Sequence, residues 1–493
     1  MRDLILKTRS SLFAALATGA AAYGFSVVNK LPNDDDLIYA FGKGVGLESG
    51  RFGLKIVSLL FPDYSMPWIN GILSLIMLAF AMALIVDLFE IRSRVFRILL
   101  PAVMIVFPSQ IGIFAYTFAV PAFALAFLLT VVSVRAAAGG TRKGFLLGTA
   151  ILSFVLSVYQ AYLMLAAALF LLLLLKDSLK DGTELRQSVR RGFRYLAVLL
   201  AAMALYGLIL LLLFQLTHTG LGKYAADAAS ENDYPLMRRI KNMISAAVFA
   251  FVPGKRYYAL TVSDLSAVLH LAGFAAAGIC LLTRFLSSEK KDVKRFLFQL
   301  LIVLLLLPVS VTCIFLLTGS AVHTLVLHAF VSCYILMVLP LDAGLPEGRP
   351  SRLLGGAVPV LFALITVINV YAANEASLKL HYQNVYLEAV CNQVMSCLQQ
   401  REDFTPDAEI TFIGYPKRTE TIHHFDGMEI MGTDVISRKK YLKYYMGADF
   451  NYADQETHDR LAADPRVSEM PSYPYYGYIQ KVDGVICVKL GEP

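Results

Sequence analysis

Charge is scarce in this sequence. Only 16% of its 493 residues are Asp, Glu, Lys or Arg against 57% hydrophobic ones, more apolar surface than a soluble core of this size can bury. Lipid must therefore solvate much of the chain. Also missing are a phosphate-binding loop, a dinucleotide fingerprint and a serine nucleophile elbow, which argues against a cytosolic nucleotide as donor in any transfer reaction. The cysteines lack metal-ligand spacing: Cys280, Cys313 and Cys333 sit in apolar runs, and Cys391, Cys397 and Cys487 near the C-terminus. In an extracytoplasmic tail, two of those last three could pair and one would stay free. No internal repeat or low-complexity linker stands out.

What the sequence has is apolar runs of membrane length. A bilayer core is crossed by roughly 20 apolar residues in a helix. On that measure the chain is a mainly α, polytopic membrane protein of eleven expected helices, at 11–28, 68–89, 98–108, 113–134, 145–158, 159–175, 195–217, 265–283, 296–318, 323–340 and 354–371. Ile98 to Val134 and Phe145 to Leu175 are too long for one crossing, and each is cut at a polar patch, Pro108-Ser109-Gln110 and Tyr159-Gln160. The first run, Ser11 to Val28, follows Arg2, Lys7 and Arg9 like a signal peptide, but it has no convincing cleavage site and reads as a retained anchor.

The net charge of +7 needs no nucleic-acid partner, because most basic residues flank apolar spans. Alternate loops differ sharply in Lys and Arg. The richer set, which includes Arg92, Arg94, Arg97, Arg142, Lys143 and the run from Lys176 to Arg194, is expected in the cytoplasm with the N-terminus. The first loop, the long loop after residue 217 and the tail then share the opposite face. Two domains are expected: a multi-helix membrane domain over 1–371 and a small extracytoplasmic α/β domain over 372–493. The tail opens with a helical pattern, Leu380, Val385, Leu387, Val390, Val394 and Leu398. Glu409 to Ile413 reads as a strand, and Gly477 to Leu490 as a hairpin turning at Asp483-Gly484.

Three adjacent carboxylates, Asp34, Asp35 and Asp36, follow the first span. They repel one another, so a chain that keeps them there either leaves them in water or uses them. A carboxylate at this position suits proton abstraction from a sugar hydroxyl, or a divalent cation beside a phosphate. Arg51, Lys55, Arg238 and Arg239, with Lys241, Lys255 and Arg256, run against the positive-inside tendency and are candidates for anionic groups, with an interfacial belt as the alternative. His323 is a candidate donor to phosphate or sugar. Tyr39, Tyr159 and Gln160 are candidates to line a cavity. His328, a turn deeper than His323, is expected to pack against a neighbouring helix, Asp87 and Glu90 to form boundary ion pairs beside Arg92 and Arg94, and His423 and His424 to lie on the tail surface.

Taken together, the acidic run followed by Ser49-Gly50-Arg51-Phe52, the Tyr159-Gln160-Ala161-Tyr162 break and the terminal Val482 to Leu490 hairpin resemble the bacterial O-antigen type, serotype-converting glucosyltransferases. The likeness covers nearly the whole chain. Such proteins are similar in design to class C glycosyltransferases, which take a sugar from a polyprenyl-phosphate carrier outside the cytoplasm. The resemblance implies Asp34 and Asp35 as the acidic motif, with Asp36 able to replace either, and Arg51 as its arginine. Phe52 stands where tryptophan is more usual, keeping a ring and losing an indole donor.

The partners implied are a polyprenyl-phosphate-linked sugar, a surface glycan or teichoic-type acceptor, the lipid bilayer of the bacterial cytoplasmic membrane, and functionally a donor synthase and a flippase. No cofactor is required by the sequence, and the carboxylates leave room for a divalent metal. A flippase or exporter of lipid-linked sugars is the alternative, as is a surface-polysaccharide ligase or polymerase.

Overall fold

A computed structural model of the chain describes residues 2–38, 46–61, 64–180, 182–222, 235–252, 260–288, 291–316, 324–346, 348–416 and 435–492. These fall into two compact units. One takes in residues up to 30 and those from 46 to 375, the other residues 31 to 38 and those from 376 onward.

The first unit is a bundle of apolar helices: α1 (Arg2–Val28), then, past α2 (Asp34–Ile38) of the second unit, α3 (Phe52–Val57), α4 (Pro67–Leu88), α5 (Phe96–Ile105), α6 (Pro108–Phe114), α7 (Val120–Ala138), α8 (Arg142–Val158), α9 (Tyr162–Ser178) and α10 (Leu185–Thr217). The helices Leu236–Phe249, Asp264–Ser287 and Ser332–Asp342 follow, with a run from Val293 to Leu316 between the last two. Among the described residues seven helices are long and apolar enough to cross a membrane, and α5 with α6 forms a further pair bent by 50°. The chain is therefore a polytopic, mainly helical membrane protein. The most apolar stretch is 61% buried in α4 and 67% buried in α7 but only 11% in α10, so α4 and α7 form the centre and α10 presents its side chains outward.

Local chemistry sets the breaks. The stretch expected as two spans, 98–108 and 113–134, holds three helices. Phe107 is extended because Pro108 follows it, and Pro108 then opens α6, where its missing N–H has no intrahelical partner to lose. Ser109 and Gln110 thus lie in a helix rather than in the break. The other expected cut holds: Tyr159 is extended and separates α8 from α9, at 17 residues each. The run from Val293 passes through a π turn at Ile302–Leu306 just before Pro308, which has no N–H to offer the ladder. Asp87 and Glu90 form the expected boundary ion pairs, with partners drawn from other parts of the chain. Asp87 pairs with Lys7 and Arg135, and Glu90 with Lys176 and Lys180, while the backbone N–H groups of Arg92 and Ser93 donate to Asp342.

In the second unit a four-stranded sheet has the order β2-β1-β4-β3, where β1 is Glu409–Ile413, β2 Asn451–Tyr452, β3 Ile479–Val482 and β4 Val485–Lys489. β1 lies parallel to β2 and β4, and β3 is antiparallel to β4. Asp483 and Gly484 both take positive φ, the geometry of the tight hairpin turn expected there. The helical pattern of the tail belongs to one 51-residue helix, Arg349–Gln399, continuous with the last expected span. Its Leu387, Val390, Val394 and Leu398 share a core with Ile410 and Phe412 of β1, Ile486 and Val488 of β4, and Leu37 of α2. Val385 departs from the pattern and is exposed. All six cysteines are free thiols, so no pair forms in the tail.

Candidate functional site

Arg51 sits between a 3-10 turn, Leu47–Ser49, and α3. The backbone just before it is held by Gln160, in the break between α8 and α9, and by Tyr206 of α10. Gly50 adopts φ +72°, and a Cβ there would lie 2.5 Å from the Tyr206 hydroxyl, so the position requires glycine both for conformation and for space. Tyr206 Oη donates to the Gly50 carbonyl at 3.0 Å, and Gln160 Nε2 donates to Tyr206 Oη at 3.0 Å and to the Ser49 carbonyl at 3.3 Å. Phe52 stacks on the Tyr206 ring at 5.9 Å, the contact that an aromatic residue at that place supplies. At Gly53 a side chain would overlap Ser157, which lets α3 press against α8.

The arginine head group lies over the Tyr159 ring, 4.9 Å from its centroid. An aromatic face holds a guanidinium in place without neutralising it. Arg51 Nε is buried and has no hydrogen-bond partner, so a donor with net positive charge is held ready for an anionic oxygen. Tyr159 is itself buried, tilted against Phe123 at 4.9 Å and edge-on to Tyr162 at 5.9 Å.

In the second unit the three carboxylates form the first turn of α2. The Asn33 side chain caps it by accepting from the Asp36 N–H at 2.8 Å, and acidic residues in a first turn meet the positive end of the helix dipole. They are not a solvated turn: Asp34 is 6% exposed and Asp36 fully buried, with Asp35 between buried and exposed. Asn384 donates to the Pro32 carbonyl and ties the turn to the long helix. The helix Val435–Tyr445 packs against α2, and the Tyr445 phenol is pushed up to about 12, first by burial and then by the negative charge of Asp36. The Tyr445 ring stacks on Tyr441 at 5.0 Å. Among the described residues no group of three or more His, Cys, Asp or Glu side chains could hold a metal ion.

Residues 24–341 match the family model for Glucosyl transferase GtrII. The chain belongs to that family. Searches of curated proteins and of solved structures returned no match. The GtrII match bears out the resemblance to the serotype-converting glucosyltransferases and makes the chain a membrane glycosyltransferase, with a sugar donor and a glycan acceptor. It spans Asp34 to Asp36, Arg51 and the Tyr159-Gln160 break, and ends short of the tail sheet.

The other candidates of this GtrII chain are placed as follows. Lys55 is exposed at the end of α3. Arg238 and Arg239 lie on the amphipathic helix Leu236–Phe249 inside the long loop, Arg238 exposed and Arg239 donating to the Leu316 carbonyl at 3.0 Å. Tyr39, His323, Lys255, Arg256, His423 and His424 lie outside the described residues. His328 stacks face to face on Tyr162 at 4.8 Å. Sequence reasoning missed Tyr206, one of two tyrosines in the 33-residue helix α10, with no nearby motif to single it out.

Proposed function

We propose that the chain moves a hexose, glucose by the family's description, from a polyprenyl-phosphate carrier to a hydroxyl of a cell-surface glycan, on the outer face of the bacterial cytoplasmic membrane. The observation that carries the reading is Arg51, a buried guanidinium nitrogen without a partner, fixed on an aromatic face in a glycosyltransferase. A departing phosphate is the anion such a reaction produces, and a preorganised guanidinium stabilises it as its charge develops.

In the step proposed, the acceptor oxygen bonds to the anomeric carbon while the bond from that carbon to the phosphate oxygen breaks. The electron pair leaves on the phosphate, and the hydroxyl proton passes to a carboxylate of the Asp34-Asp35-Asp36 turn. The products are the glycosylated acceptor and polyprenyl phosphate. Arg51 balances the leaving group, with Lys55, Arg238, Arg239 and His323 assigned as further positive or donor groups for the lipid phosphate. An apolar cavity of about 350 Å³ lined by Phe251, Phe274, Leu307 and Phe330 suits an isoprenoid tail.

The test is to incubate the purified protein with polyprenyl-phosphate glucose and candidate acceptors, with and without chelator. Glycosylated product with release of polyprenyl phosphate is expected. Movement of intact lipid across a bilayer without bond cleavage would replace the reading with a flippase.

A further inference from the structure

Six hydrogen-bonding atoms of the first unit are buried together without a partner. Ser109 and Gln110 of α6, Thr324 of the 3-10 turn Thr324–Val326 and His328 of the next turn, His328–Val331, are each at most 1% exposed. Ser109 Oγ, Gln110 Oε1 and Nε2, Thr324 Oγ1 and both ring nitrogens of His328 make no hydrogen bond. α6 packs against the first of these turns and α9 against the second, so the break before α6 and the break at Tyr159-Gln160 converge on the segment 324–331. Buried polar atoms are almost always paired, and each unpaired one destabilises the fold. Six of them in one region, on three otherwise apolar elements, are explained if a ligand pairs them.

The chemistry of the set identifies the ligand. These are neutral donors and acceptors in mixture, with no charged group among them, which suits the hydroxyls of a sugar and not a phosphate. His328 is stacked on Tyr162 and edge-on to Tyr159 at 6.2 Å, the ring that carries Arg51 on its face. Phe330, two residues beyond His328, lines the apolar cavity. The polar cluster thus lies between a cation suited to phosphate and a space suited to a lipid tail.

We infer that Ser109, Gln110, Thr324 and His328 hold the hydroxyl groups of the hexose on its lipid carrier. This rests on the proposed polyprenyl-phosphate donor and adds the residues that recognise the sugar itself. A site built to hydrogen-bond hydroxyls discriminates strongly against a ligand that lacks them, because its own buried groups are then left unpaired.

The experiment measures binding of polyprenyl-phosphate glucose and of bare polyprenyl phosphate to the purified full-length protein in detergent. The wild type is expected to prefer the sugar-bearing lipid by about tenfold or more. His328→Phe, which keeps the stacked ring, Gln110→Leu and the isosteric Thr324→Val should lose most of that preference. Affinity for bare polyprenyl phosphate and the unfolding temperature should stay at or above the wild-type values, since the atoms removed were unpaired. Variants that keep the preference, or that lose both lipids equally, overturn the inference and leave the donor reading standing. If His328→Phe fails to fold, the isosteric Thr324→Val decides by the same criteria. A wild type that binds neither lipid overturns the donor reading and this inference with it.

Discussion

Gly50 allows the geometry around Arg51 to be tested by a double-mutant cycle. Alanine at that position must adopt φ +72°, a left-handed conformation that costs an L-residue roughly 1–2 kcal/mol. Its Cβ would also stand 2.5 Å from Tyr206 Oη, too close for both to remain. The hydroxyl then gives up its bond to the Gly50 carbonyl, a further ~1 kcal/mol. Gly50→Ala is thus expected to destabilise the chain by about 2–3 kcal/mol. In a Tyr206→Phe background the hydroxyl is already gone and the closest contact goes with it, leaving the conformational part and the milder approach to Gln160 Nε2 at 3.1 Å. The two substitutions should therefore couple by ~1 kcal/mol, the double variant being more stable than the sum of its parts predicts. Unfolding of the purified protein in mixed detergent micelles reads all four corners of the cycle. Costs that add to within about 0.3 kcal/mol would show that Gly50 and Tyr206 do not meet, and the positioning of Arg51 would need another basis.

Arg51→Lys keeps the charge but loses the planar head group that stacks on Tyr159, so transfer should fall by about 100-fold with stability nearly unchanged, as measured by initial rates and by unfolding. Asp34→Asn, Asp35→Asn and Asp36→Asn keep the shape of the first turn of α2 while removing one proton acceptor each. At least one should abolish transfer without loss of membrane insertion, and full activity in all three would remove the general-base assignment. In the tail hairpin, Arg460 and then Arg466 hold the Asp483 carboxyl below the usual carboxylate range by hydrogen bonds. A folded-state value that is depressed gives a contribution present above the unfolded pKa, about 3.9, and lost as pH falls through the lower folded one. Hydrogen-exchange protection of β3 and β4, corrected for intrinsic rates, should therefore weaken below about pH 4 in the wild type and change less in Asp483→Asn.

Much of the fold was legible because lipid and turn chemistry leave local marks. Apolar runs between basic flanks marked a polytopic helical membrane protein, though of the eleven spans expected only seven described helices and one bent pair are long and apolar enough to cross, while Tyr159-Gln160 located a true break and Asp483-Gly484 the hairpin. Pro108-Ser109-Gln110 looks like an interruption, whereas a proline in a first helical turn starts a helix as readily as it ends one, so the break falls at Phe107 and the polar patch lies inside α6. The long helix Arg349–Gln399 was divided at a change of composition that the backbone ignores, since polar residues continue a helix as well as apolar ones. Of the candidate site, the aspartates were visible as adjacent like charges and Arg51 by its place in Ser49-Gly50-Arg51-Phe52. Tyr206 was not, because its value lies in a contact 156 residues away in sequence. The burial of Asp34 and Asp36 was equally hidden, being supplied by tertiary packing that no local pattern encodes.

The proposed reaction takes place on the side of the membrane opposite the cytosol, and labelling in intact cells tests that proposal directly. Single cysteines replacing exposed Lys30, beside the acidic turn, and Tyr476, on the tail, are treated with a membrane-impermeant maleimide, with Lys143→Cys as the cytoplasmic reference. Reaction at 30 and 476 before lysis, and at 143 only after it, is the predicted result. Protection of either 30 or 476 until the cells are opened would contradict the account.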